Sequence, residues 1–382
     1  MQKEKAKRAV VVTATQVHFR VVKPVVDELM RRGWQVSVLH FESLWERIES
    51  FLLKRRKRSI ASFYAETTRK TESKTSRYVA NVLTKIIFYL TKLSGLSKPN
   101  ILLVLSEGIM PTKVAVAVAK QSGIPTLLLL QLGMLGKNYE CPTFLADKIS
   151  VPGDFIKDLV INCGVAEERI VVTGRPTYDA LIRAEEKFDK AGICRKLGLD
   201  PSKKILVYCT ENLPLTETQR MAYAICNAVK DFLDVQFVIK VHPSELSLSL
   251  YDTVLKQVGI RALVTKEANI YEILYVCDLM MTGYSTTALD AMILDKSVIT
   301  VNLTGLRDPI PFAESGAAIG VYSEEDLKQA IKNGLYNDSA KERLRRDREK
   351  FVYEQTYLSD GKATERIVNL TEKMTANLRM KV

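Results

Sequence analysis

The chain has 382 residues, enough for two domains that each bury a core. Its 47% hydrophobic and 26% charged residues exclude a disordered chain. The net charge of +12 is concentrated: residues 51–100 hold twelve Lys/Arg against two acids, Glu66 and Glu72, which excludes a generally basic nucleic-acid binder.

RAVVVTA (8–14) reads as a first strand, and VVKPVVDELMRRG (21–33) as an amphipathic helix stopped by Gly33. WQVSVLH (34–40) is the next strand. The basic segment 51–98 follows; within it VLTKIIFYLTKLSGL (82–96) gathers Val82, Leu83, Ile86, Ile87, Leu90 and Leu93 on one helical face. Such a helix among cations suits either an anionic membrane interface or a basic rim on its own domain. NILLVLSEG (100–108) and IPTLLLLQLG (124–133) are apolar strands around a helix at 113–123, and KISVPG and RIVVTG are short strands around another. After a charged helical break near 178–203 the rhythm resumes. ILVYCT (205–210), QFVIKVH (236–242), RALVTK (261–266), DLMMTG (278–283) and SVITVN (297–302) are strands, with helices at 216–232, 270–276 and 286–294. The tail is charged and helical. This alternation predicts two parallel, doubly wound sheets. The expected domains are 1–180, carrying the basic segment 51–98, and 181–350, with 351–382 as a helix crossing back to the first.

Six scattered cysteines with no C-x-x-C pair argue against a disulfide framework or zinc site and for a reducing compartment. No run approaches the roughly 18 apolar residues of a membrane span. A cytoplasmic location is expected, with the basic segment as the means of peripheral attachment to the inner face of the membrane. No metal-ligand cluster is visible.

Ligands of doubly wound sheets bind beyond the carboxyl ends of the strands, so polar residues ending apolar runs are the candidates. In TGYSTTALDA (282–291), Gly283 permits a sharp turn, and Ser285, Thr286 and Thr287 fall at a helix start where they either cap or bind phosphate. In VIKVHPSE, Lys240 offers a point charge and His242 a donor in either protonation state, or the pair simply ends a strand. Thr210 and Glu211 form a third strand-end loop. In the first half, His18 lies in the first strand-to-helix loop, Glu107 ends one apolar strand and Gln131 another. His40 ends a strand without an evident partner and reads as structural.

Together these stretches resemble the GT-B superfamily of nucleotide-sugar glycosyltransferases and UDP-N-acetylglucosamine 2-epimerases. The passage KISVPGDFIKDLVINCGVAEERIVVTGRPTYDAL (148–181) is similar to the end of the first domain of the epimerases. KVHPSE and TGYSTTALDAMILDKSVITVN resemble the donor half of these proteins and of the CDP-glycerol glycerophosphotransferases. The resemblance implies a GT-B fold with a central cleft, a donor diphosphate held by His242, Ser285, Thr286 and Thr287, and no required cofactor. Gln131 stands where epimerases of this type carry a glutamate, and Leu132-Gly133 where surface-polymer transferases often carry His-Gly. An amide cannot take a proton as a carboxylate does, so Glu107 or His18 is the expected base. The reading is a glycosyltransferase that uses a UDP- or CDP-linked donor and acts on a polysaccharide or lipid-linked acceptor at an anionic membrane surface. A UDP-N-acetylglucosamine 2-epimerase, a CDP-glycerol-type glycerophosphotransferase and a non-catalytic nucleotide-sugar binder are the alternatives. No nucleic acid is expected as partner, and a dimer is compatible with the sequence.

Overall fold

The structure, a computed structural model, describes residues 6–13, 16–40, 99–105, 110–130, 143–245 and 248–376. The basic segment 51–98, Glu107 and Gln131 lie outside the described residues. The chain forms two compact units, Met1–Thr177 with Lys362–Val382, and Tyr178–Gly361.

The first unit contains β1 (Arg8–Thr13), α1 (Gln16–Arg31), β2 (Gln35–His40), β3 (Ile101–Val104), α2 (Met110–Gln121), β4 (Thr126–Leu129), β5 (Lys148–Val151), α3 (Asp154–Asn162) and β6 (Ile170–Val172). Its strands pair in parallel in the order β2-β1-β3-β4-β5-β6. The runs ILLV of β3 and TLLL of β4 are buried at every position, as a sheet covered on both faces requires.

Helix α1 starts at Gln16, five residues before the sequence reading placed it, so His18 falls inside the helix and not in a loop. Proline is best tolerated in the first turn of a helix. Here it sits mid-helix. Burial of Val22, Val25, Val26 and Leu29 against the sheet, each worth about 1.5–3 kcal/mol, outweighs the lost backbone hydrogen bond. The side chain of His18 lies outside what is described. His40 does have partners: its Nδ1 lies 2.7 Å from Thr13 Oγ1, and Phe19 meets its ring edge-on at 5.3 Å. Cysteines 194, 209, 226 and 277 are free and buried, and Cys163 is disulfide-bonded, a bond that the scattered cysteine pattern did not lead one to expect.

The second unit contains α4 (Tyr178–Ile182), α5 (Ala184–Lys187), α6 (Lys190–Leu197), β7 (Lys204–Cys209), α7 (Leu215–Val229), β8 (Val235–Lys240), α8 (Ser249–Val258), β9 (Leu263–Thr265), α9 (Ile270–Val276), β10 (Leu279–Thr282), α10 (Thr287–Ile293), β11 (Ser297–Val301), β12 (Ile319–Val321), α11 (Leu327–Tyr336) and α12 (Asp338–Thr356). The sequence reading had no place for α8 or β12. Helix α6 is closed at both ends. Asp189 accepts from the N–H groups of Ala191 and Gly192, and Gly198 takes the left-handed conformation (φ +69°) that ends the helix. The strands are again parallel, in the order β12-β11-β10-β7-β8-β9. Alternate residues of β7 and β8, Leu206 and Tyr208 with Phe237 and Ile239, face α7 and α8 in one core.

The order of this sheet runs outward in both directions from β7, so the chain reverses between β7 and β10. Loops leaving two such strands diverge to opposite faces and leave a crevice at their carboxyl ends.

A last helix, α13 (Ala363–Ala376), packs on α1 in the first unit, with Ile367 and Val368 buried beside Val25 and Leu29. Arg32 on α1 donates to Asn369 (2.7 Å) and Glu372 (2.9 Å). Glu28, bridged by Arg31 and Arg32, has its carboxyl held down at about 2 by those hydrogen bonds.

Candidate functional site at the crevice of the second unit

The loops after β8, β7 and β10 are neighbours because their strands are, although 242 and 285 are far apart in sequence. Adjacent strands lie about 4.8 Å apart, so the β8 and β10 loops stand roughly 10 Å apart with the β7 loop between them.

The β8 loop is a braced turn. Glu245 N–H donates to His242 O at 3.0 Å, and His242 N–H donates to Thr210 Oγ1 at 2.9 Å. Thr210 Oγ1 in turn donates to Glu245, and Tyr251 O–H donates to the other Glu245 oxygen at 2.7 Å. Thr210 is buried, so its hydroxyl serves the turn and not solvent. Lys240, 8% exposed, donates to the carbonyls of Lys266 (2.7 Å) and Val241 (3.2 Å). Burial pulls its pKa down. Its ammonium is committed to the backbone, where the sequence reading had it free as a point charge. Lys266 closes the frame by donating to Glu245 O at 2.7 Å.

This frame fixes His242. Ser244 N–H donates to His242 Nδ1 at 3.1 Å, so in the neutral ring the hydrogen sits on Nε2. Burial, aided by Lys240 and Lys266 and opposed by Glu245, lowers the pKa of the half-buried ring and keeps it neutral near pH 7. His242 thus presents one N–H donor in a fixed orientation.

At the β10 loop, Thr286 precedes α10 without a side-chain cap. Ser285 Oγ and Thr287 Oγ1 hydrogen-bond each other, and Thr287 N–H donates to Ser285 Oγ at 3.3 Å. Gly283 does not have the left-handed backbone that a sharp turn would need. Its missing Cβ makes room instead: a Cβ there would overlap Glu211 Oε2. The Glu211 carboxylate lies over Gly283 and accepts from the N–H of Tyr284 at 2.6 Å and from that of Ser285. Burial raises its pKa to about 7 despite these bonds.

Beside this turn, on its β11 side, is a cavity of about 670 Å³ lined by Leu213, Arg220, Tyr284, Asn302, Leu303 and Arg307. Its 302–309 wall is tied together by Asn302. Asn302 donates to Leu306 O and Asp308, and accepts from Thr304 N–H and O–H. Sequence reading missed this wall, and also Glu245, Tyr251 and Lys266. Among the described residues no group of three His, Cys, Asp or Glu could hold a metal ion, and no helix is long and apolar enough to cross a membrane.

The family model for CDP-glycerol:poly(glycerophosphate) glycerophosphotransferases matches residues 144–373, well over half of the chain. The chain belongs to that family. The match runs from just before β5 through the whole second unit, so the matched stretch spans Glu211, His242 and the Ser/Thr turn. No curated protein matches the chain. Solved structures do. A UDP-N-acetylglucosamine 2-epimerase is 20% identical, with 96% of this chain and 95% of that one covered and a TM-score of 0.64. The UDP-GlcNAc 2-epimerase from Neisseria meningitidis bound to UDP-GlcNAc is 14% identical over 96% and 100%, at 0.64. A variant of the wall teichoic acid polymerase TagF is 13% identical over 98% and 90%, at 0.62. At these identities the likeness is one of fold: two Rossmann-like domains of the GT-B class, as the sequence motifs implied.

Proposed function

We propose that this chain transfers a phosphate-linked group from a CDP-type donor to a hydroxyl of a surface-polymer or lipid-linked acceptor. The observation that carries this is the family match across the whole second unit. Family membership reverses the order of the sequence reading: glycerophosphate transfer comes first, and glycosyl transfer from a UDP-linked donor becomes the alternative. In this reading the acceptor oxygen attacks the β-phosphorus of the donor. A new P–O bond forms, the bond from that phosphorus to the bridging oxygen breaks, and a nucleoside monophosphate leaves. Glu107 or His18, the bases expected from the sequence, takes the hydroxyl proton. His242 Nε2–H donates to the diphosphate from one side and the Ser285–Thr287 hydroxyls from the other, stabilising charge in the transition state. The polyol end of the donor points into the cavity beside Tyr284. The basic segment 51–98 holds the protein against an anionic membrane where the acceptor lies.

The leaving nucleotide tests the reading. With CDP-glycerol and an acceptor, glycerophosphate transfer releases CMP. Glycosyl transfer from UDP-N-acetylglucosamine releases UDP, and an epimerase yields epimer or free sugar with no acceptor. His242→Ala is expected to weaken CDP-glycerol binding about tenfold with the fold intact, the loss of one charge-assisted hydrogen bond of about 1.5 kcal/mol. Failure of every nucleotide conjugate to stabilise the protein in a thermal-shift panel would refute the proposal.

A further inference from the structure

The reversal point of the second sheet, where a ligand's phosphates are expected, already holds an anion of the protein's own. The Glu211 carboxylate covers Gly283 and takes the N–H groups of Tyr284 and Ser285, the donors this turn would offer to a phosphate. The seat is built for it, since any side chain at 283 would fill the space its oxygen occupies. We propose that Glu211 is a proton-coupled gate on the donor site: a donor diphosphate binds here only as Glu211 takes up a proton in place, becoming a neutral acid that donates to a phosphate oxygen.

This rests on the proposed function, because it concerns the same donor. Two anions cannot share one turn without large repulsion, whereas a carboxylic acid both accepts from the turn and donates to the newcomer. Among the described residues, the groups that act on the carboxylate are hydrogen-bond donors and none is a cation. Tyr208 and Cys209 on β7 and Tyr284 on the turn are pushed up by burial and stay uncharged. The charged groups sharing these neighbours are Glu245 and Lys240 from the end of β8, Glu217 from α7 and Asp290 from α10, and Lys240 is tied to carbonyls. With its own pKa already at about 7, the group changes state at little cost near neutrality, and an arriving phosphate raises it further.

The probe is CDP-glycerol, or UDP-N-acetylglucosamine, because the phosphates of such diesters do not titrate near neutral pH. Titration calorimetry on the whole chain, in two buffers of different ionisation enthalpy, should show uptake of about half a proton or more at pH 7, rising towards one at pH 8. The dissociation constant should climb about tenfold per pH unit above pH 7.5. Glu211→Gln imitates the protonated acid, so it should bind without uptake, with no slope in this range, and more tightly than wild type at pH 8.5. Retention of the slope in Glu211→Gln, or wild-type binding without proton uptake, overturns the gate while leaving the proposed function standing. No binding of either diester at any pH overturns both.

Discussion

Gly283 and Glu211 are coupled by a volume argument that a double-mutant cycle can measure. In the native structure a Cβ at 283 would overlap Glu211 Oε2 and lie 3.0 Å from the carboxyl carbon. Gly283→Ala must therefore push the carboxylate off its seat, and its bonds from Tyr284 N–H, Ser285 N–H and the Thr282 side chain are lost or weakened with it. Hydrogen bonds to charged groups contribute about 1.5–3 kcal/mol each. Part of that returns when the displaced carboxylate regains water, so a net cost of about 2 kcal/mol is expected at pH 7. In a Glu211→Ala background the space is empty, and the same methyl should cost about 0.5 kcal/mol or less. The coupling energy is then roughly 1.5–2 kcal/mol, well above the non-additivity of independent sites. Hydrogen exchange of β7 and β10 peptides reads the stability of the second unit by itself. Equal cost of Gly283→Ala in both backgrounds would refute the idea that the glycine is there for the carboxylate.

Two further outcomes follow from the same geometry. Lys240→Met leaves the carbonyls of Lys266 and Val241 without their donor, so the second unit should lose about 1–3 kcal/mol, while CDP-glycerol affinity falls less than in His242→Ala; the reverse ranking would return Lys240 to the ligand. Glu211 is raised from about 4.5 to about 7 on folding, so its protonated form favours the fold below pH 4.5 and this contribution is lost as pH rises through 7. Wild type should lose about 3 kcal/mol relative to Glu211→Gln between pH 4.5 and 8, and a difference that stays flat with pH contradicts the raised pKa.

The strands were legible because parallel sheets buried on both faces leave continuous apolar runs, as in ILLV and TLLL. His242 and the Ser/Thr turn were legible as polar residues ending such runs. What the sequence concealed were partnerships set by strand order. Thr210 and Glu245 are 35 residues apart, and Glu211 and Tyr284 73, yet each pair is bonded. Nothing in the local pattern of KVHPSE says that its lysine will turn back to a carbonyl on the neighbouring strand. Gly283 was read for its conformational freedom, the usual reason for a glycine after a strand, when the reason lies in a side chain from another loop. Helix α1 begins five residues before the apolar pattern that marks it, and packing of the valine face carries it through Pro24.

The two sheets differ in where they reverse, and this sorts the candidates better than residue type does. In the first unit the order β2-β1-β3-β4 puts the reversal between β1 and β3, and His18 and Glu107 are the flagged residues that follow those two strands in sequence. In the second unit the reversal lies between β7 and β10, followed by Glu211 and the Gly283 turn, while His242 stands one strand further out. His40, which the sequence set aside, ends β2 at the sheet's edge and is satisfied by Thr13. A ligand drawn to a crevice by diverging loops meets the reversal-point residues first. In the proposed function, Glu211 is therefore better placed than His242 to decide whether a phosphate enters, and His242 to hold it once it has.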